Sequence, residues 1–244
     1  MADDNAIARG RLVLALDFGD LDQARRIARS CAPFFATVKV GLELFVAAGP
    51  RAVDELRDDG FAVFVDLKLH DIPETVRRAA AEIAELGAAY ATVHAQADPQ
   101  MLEAAALGFA EGSEARAGAP TIGLGVTALT SENADKEVVV GRAEQAKRAG
   151  LGGVVCGVGD LYELRANVPG LLTVVPGIRP KGAAHDDQRR VGTPQTAIRS
   201  GADLLVIGRA VTRAEDPGRS AEAIATEVAQ ATTMEILVDG GASR

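Results

Sequence analysis

Residues 62–87 read AVFVDLKLHDIPETVRRAAAEIAELG. The first eight, 62–69, are an apolar run rich in Val and Leu, the length of one strand. Asp66 and Lys68 interrupt it two positions apart. On a strand their side chains leave by one face, while Val65, Leu67 and Leu69 leave by the other. Pro73 suits a first helical turn, helical spacing follows, and Gly87 sits where a C-cap belongs. The stretch predicts a strand, a short loop and a helix over 73–86, with opposite charges gathered at the strand's exit.

The same module recurs outward in both directions. Strand-like runs lie at 11–17 (RLVLALD), 36–40 (ATVKV), 90–95 (YATVHA), 121–128 (TIGLGVTA), 153–158 (GVVCGV), 172–178 (LTVVPGI) and 203–208 (DLLVIG). Most are continuously apolar, as in strands covered on both sides of a parallel sheet. Helical spacing fills the intervals 21–33, 45–59, 99–117, 137–149, 161–166, 194–200 and 217–231, and Gly60, Gly150 and Gly201 follow three of them. Eight strands alternating with eight helices in 244 residues predict an α/β fold, a single-domain (β/α)8 TIM barrel over 1–233. The rival is an open doubly wound sheet, which usually has fewer strands or a second domain, and no Pro/Ser-rich linker divides this chain. Residues 234–244 are expected to form a loosely attached tail.

Composition narrows the partners. Against 26 Lys+Arg stand 34 Asp+Glu, a formal charge of -8. An acidic chain with no Trp and two Tyr is a poor platform for nucleic acid or an anionic membrane, which need basic faces or stacking rings. No apolar stretch reaches membrane-spanning length. Residues 1–10 lack the order of a secretory signal, and Cys31 and Cys156 have no metal-ligand spacing and read as reduced, buried thiols. These features predict a cytoplasmic protein.

In a barrel of this kind the chemistry sits where strands pass into helices. Those positions carry Asp17, Lys39, Asp66, Lys68, His70, Asp71, His94, Gly208 and Arg209. Lone buried charges are costly, so Asp66, Lys68 and Lys39 from the neighbouring strand are expected to compensate one another. A buried ion network that only fixes barrel register would look similar, and Asp71 alone could serve the N-terminal dipole of the helix at Pro73. Gly208 and Arg209 suit a phosphate: an approachable backbone N–H and a guanidinium fork. The polar stretch 181–190 reads as a lid or as an ordinary surface loop. His70, His94 and His185 are not grouped as metal ligands, and His94 is expected to satisfy hydrogen bonds in the barrel mouth.

Residues 65–76, VDLKLHDIPETV, resemble the D-x-K-x-x-D-I-P-x-T-V signature of the orotidine 5′-phosphate decarboxylase family. Further blocks follow the family pattern in order: LALD ending at Asp17, VKVGLELF at 38–45, VTALTS at 126–131, VPGIRP at 175–180, DDQRR at 186–190 and VIGRAVT at 206–212. The 175–180 and 186–190 blocks are similar to the bacterial branch. The resemblance implies conversion of orotidine 5′-monophosphate to uridine 5′-monophosphate and carbon dioxide without cofactor or metal. It implies Lys68 as proton donor to C6, Asp66 beside it, and Lys39 bridging Asp66 to the ribose, which Asp17 also contacts. It implies a homodimer in which Asp71, Ile72 and Thr75 reach into the partner's site. Arg179, Gln188, Gly208 and Arg209 would hold the phosphate. Thr130 would meet the pyrimidine edge, with Thr127 the other claimant. A magnesium-dependent barrel enzyme acting on a sugar phosphate, and a phosphate-binding barrel without catalysis, are the alternatives.

Overall fold

The computed structural model describes residues 2–129, 131–132, 134–180 and 192–241, without side chains for 2–5 and 235–241. Its strands are β1 (Leu12–Leu16), β2 (Thr37–Gly41), β3 (Ala62–Leu69), β4 (Tyr90–His94), β5 (Ile122–Val126), β6 (Gly153–Val155), β7 (Leu172–Val175) and β8 (Leu204–Ile207). They pair in parallel and in chain order, and β8 closes on β1. The expected eight-stranded barrel is therefore formed, and the open sheet is excluded.

Helices surround it: α1 (Ala2–Arg11), α2 (Leu21–Cys31), α3 (Leu42–Ala48), α4 (Arg51–Asp58), α5 (Pro73–Glu85), α6 (Pro99–Arg116), α7 (Lys136–Arg148), α8 (Leu161–Asn167), α9 (Pro194–Arg199), α10 (Arg209–Thr212) and α11 (Pro217–Gly241). Three differences from the sequence reading stand out. The helix expected over 45–59 is two helices, because Gly49 has φ 61° and Pro50 starts a new one. The polar N-terminus is helical. The last helix runs past Thr233 to Gly241, where a loose tail was expected, and Arg11 donates a hydrogen bond to Thr232 Oγ1 at 3.0 Å.

Period-two alternation divides the core into two. Val13, Phe64, Leu124, Val155, Val174 and Val206 fill the lumen, while Leu14, Val40, Val65, Val93, Val154 and Ile207 face the helices. Phe64 and Tyr90 meet edge-on at 6.1 Å inside the lumen. The apolar lumen leaves the charged residues of β2 and β3 at its upper end.

The helix after β3 is set by close backbone approach. A Cβ at Gly108 would lie 2.1 Å from the Arg77 carbonyl oxygen, and one at Gly112 2.1 Å from that of Ala81. Glycines on α6 thus let α5 dock nearly backbone to backbone. Arg77, which reaches Glu111 at 2.6 Å, ties the same pair together.

Candidate active site

The site is built from the strand exits upward. Lys68 Nζ lies 2.8 Å from Asp66 Oδ1; Lys39 Nζ lies 3.4 Å from Asp66 Oδ2 and 3.2 Å from Asp17 Oδ1. Two cations and two anions thus alternate across β1, β2 and β3. The Asp66 side chain is 13% exposed and that of Lys39 11%. Burial by itself would push the Asp66 carboxyl up. The charges of Lys39 and Lys68, with hydrogen bonds from Lys68 and Thr92, outweigh it and hold Asp66 below the ordinary aspartate value.

Strand alternation alone does not put Asp66 and Lys68 on one side. β3 pairs Val65 with Ala91 and Leu69 with Val93. Three residues, 66–68, therefore oppose the single residue Thr92, which is a bulge. Lys68 sits within it at φ 53°, a left-handed conformation unusual for a long side chain. Leu67 and Leu69 pack towards the helices, as expected.

A cavity of about 470 Å³ opens above the apolar lumen, within the range of small-molecule sites. It brings together Asp17, Lys39, Asp66, Lys68, Arg179, Gly208 and Arg209, all anticipated from sequence. The first four lie on one side, while Arg179 follows β7 and Gly208–Arg209 follow β8. Gly208 precedes α10, and a Cβ there would meet Ala15 Cβ at an ordinary 3.6 Å. The protein's own packing therefore leaves room for a side chain at that position.

Asp71 and Thr75 do not reach this cavity. They line a separate open depression with His70 and His94, on the other side of Lys68. Ile72 is 67% exposed, and its N–H is bonded by Asp71 Oδ1 at 2.7 Å. His94 stands at the end of β4 with its ring 5.6 Å from that of His70. Burial, then the neighbouring His70 and Lys68, lower its pKa and favour the neutral imidazole. Thr130, Gln188, His185 and the stretch 181–190 lie outside the described residues. Thr127 is fully buried and donates to the Val155 carbonyl at 2.9 Å, away from the cavity lining.

Sequence reasoning overlooked several residues. Arg213 and Gly177 line the cavity. Gly41 closes β2, where a Cβ would crowd Lys39 Nζ at 3.0 Å and Asp17 Oδ1 at 3.1 Å. Thr92, 1% exposed, bonds both Asp66 and the Lys68 backbone. Its signal was positional: it shares a strand face with lumen-lining Tyr90.

Comparison with known proteins agrees with this geometry. The model of the "Orotidine 5'-phosphate decarboxylase / HUMPS family" matches residues 10–224. Orotidine 5′-phosphate decarboxylase of Anaeromyxobacter sp. (strain K) is 46% identical over 88% of this chain and 96% of its own. That of Halorhodospira halophila is 44% identical over 91% of this chain and 97% of its own. Among solved structures, orotidine 5′-phosphate decarboxylase from Lactobacillus acidophilus superposes with a TM-score of 0.77 at 35% identity, covering 89% of this chain and 98% of that one. The barrel, its charged strand exits and these relatives together assign the chain to the orotidine 5′-phosphate decarboxylase / HUMPS family.

Proposed function

We propose that this protein decarboxylates orotidine 5′-monophosphate to uridine 5′-monophosphate, with Lys68 donating the proton to C6. The observation that carries this reading is the Asp66–Lys68 ion pair at 2.8 Å on the wall of a cavity whose far side holds Arg179 and Arg209. The C6–carboxylate bond breaks, carbon dioxide departs, and its electron pair stays on C6 in an orbital the ring delocalises poorly. Lys68 ammonium stabilises that charge and then transfers its proton, giving the C6–H bond and leaving a neutral amine for solvent to reprotonate.

Asp66 aims Lys68 and confronts the substrate's carboxylate. Like charges 4 Å apart repel by roughly 4 kcal/mol at an effective dielectric near 20, and this repulsion ends when carbon dioxide leaves. Lys39 joins Asp66 to the ribose hydroxyls, and Asp17 accepts from the ribose. The phosphate binds at Gly208, Arg209 and Arg179, with Gln188 from the 181–190 stretch as lid and Thr130 at the pyrimidine edge. Phosphate binding at a distance from C6 then contributes to assembling the site.

Asp71, Ile72 and Thr75 belong in this reading to the site of a second copy, making the protein a homodimer. They stand away from their own cavity, and exposed Ile72, Leu42 and Val46 follow β3 and β2 at the mouth end of the barrel. We read the barrel, with its last helix to Gly241, as one domain and the setting as cytoplasmic. Among the described residues no helix is long and apolar enough to cross a membrane, and both cysteines are buried.

In this reading the reaction needs no cofactor. Asp66 is ion-paired with Lys68 and Lys39, and Asp17 with Lys39, so both carboxylates already face ammonium groups, which supports this reading over a magnesium-dependent sugar-phosphate enzyme that would use them as metal ligands. An ultraviolet assay on orotidine 5′-monophosphate should show turnover that EDTA leaves unchanged; loss on chelation would return the metal-dependent alternative. Arg209→Ala should raise KM by roughly 10- to 100-fold through the lost bidentate phosphate contact, with the melting temperature unchanged. An unaltered KM would remove Arg209 from the phosphate site.

A further inference from the structure

Thr92 lies beneath the catalytic pair and outside the cavity lining, yet it is bonded to both of its members. Its hydroxyl accepts the Lys68 backbone N–H at 2.9 Å and donates to Asp66 Oδ1 at 3.0 Å. Lys68 Nζ reaches that same oxygen at 2.8 Å. The three bonds close a ring: Lys68 backbone to Thr92, Thr92 to Asp66, and Asp66 to the Lys68 ammonium.

We propose that Thr92 is a positioning residue for this reaction, holding the bulge of β3 in the one conformation that aims Lys68 and Asp66 together. The inference rests on the decarboxylase reading for its kinetic consequence. Three β3 residues face one on β4, so the strand ladder supplies no partner opposite Lys68. A buried N–H without a partner is costly, and the Thr92 hydroxyl satisfies it. Because that bond uses an oxygen lone pair, the hydroxyl proton is directed to Asp66. Asp66 Oδ2 is then left towards Lys39, which Asp17 holds from β1. The groups facing Asp66 are thus Lys39 from β2, Lys68 from β3 and Thr92 from β4.

Valine nearly matches threonine in shape and lacks both bonds; serine keeps both. Thr92→Val should lose roughly 30-fold or more in kcat with KM within about threefold of wild type, and Thr92→Ser should stay within about threefold in both. With one donor gone from Asp66, the acid limb of the kcat profile should move to higher pH in Thr92→Val and stay in place in Thr92→Ser. A purely structural role would lower the active fraction and leave the limb where it is. If Thr92→Val does not fold, Thr92→Ala, which adds no methyl beside Asp66, must show the same loss.

NMR titration of the Asp66 carboxyl carbon needs no substrate. It should shift upward in Thr92→Val or Thr92→Ala even if the wild type turns over nothing, a result that would sink the decarboxylase reading alone. Wild-type kcat and acid limb in the variants lacking the hydroxyl, an unmoved Asp66 titration, or an equal loss in Thr92→Ser would each overturn the role of Thr92.

Discussion

Lys68→Ala should lose turnover by at least ~10⁴-fold, since in the proposed reaction one side chain supplies both the general acid and the charge facing the developing carbanion. Both contributions vanish with the one ammonium, so this is the largest single loss of turnover expected on the chain. Nucleotide binding should suffer far less, because Lys39, Arg179 and Arg209 are untouched. A single-turnover ultraviolet assay with saturating substrate separates the two. Near-normal turnover would reject Lys68 as donor. The same variant tests the dimer. Mixed with Asp71→Ala after unfolding and refolding, it should form heterodimers in which one site has both Lys68 and the partner's intact Asp71. Random reassortment restores about a quarter of the sites. Two variants that stay as inactive together as apart would argue against shared sites.

Asp66→Ala should be costly for the fold as well as severe for turnover. It removes the carboxylate that pairs with Lys68 at 2.8 Å and Lys39 at 3.4 Å. Lys39 keeps Asp17, but the Lys68 ammonium and the Thr92 hydroxyl lose their shared oxygen. Breaking a buried pair on one side costs about 3–5 kcal/mol, visible as a lower denaturant midpoint. Asp66→Asn, which still accepts hydrogen bonds, should recover part of the stability and little of the turnover. The sign with pH follows from the lowered pKa of Asp66. Its contribution to stability is complete above the unfolded aspartate value and disappears as pH falls through the lower folded value. Asp66→Asn should therefore flatten the acid side of the stability profile. An unchanged slope below about pH 4 would mean that Asp66 is not held ionised by its neighbours.

The barrel was legible because continuous apolar runs, helical spacing and capping glycines all repeat with one period, and each module states the same fold independently. Helix ends were less legible. Gly49–Pro50 did carry a break signal, but the apolar spacing on either side continues through it. In the site, Asp17, Lys39, Asp66, Lys68 and Arg209 were readable because charges at the exits of otherwise apolar strands have few other reasons to be there, while Arg179 came from the family resemblance. Gly41 and Thr92 were not readable in that way. A glycine whose task is to leave space for Lys39 resembles any glycine ending a strand. A threonine on a strand resembles ordinary β-propensity. Its importance arises only from the bulge opposite, and bulges follow from pairing between strands rather than from either strand's own sequence.

Among the described residues only Lys68 and Ala117 are non-glycines with positive φ. Ala117 is the left-handed cap of a helix, a conformation many chains adopt there. Lys68 has no such ordinary excuse. Glycine would relax that peptide and asparagine would tolerate it better. A screen for heat resistance alone would therefore set the ease gained at that peptide, about 1–2 kcal/mol, against the lost partner of Asp66 at 2.8 Å, so lysine should persist at position 68 for the sake of the folded strand as well as the chemistry.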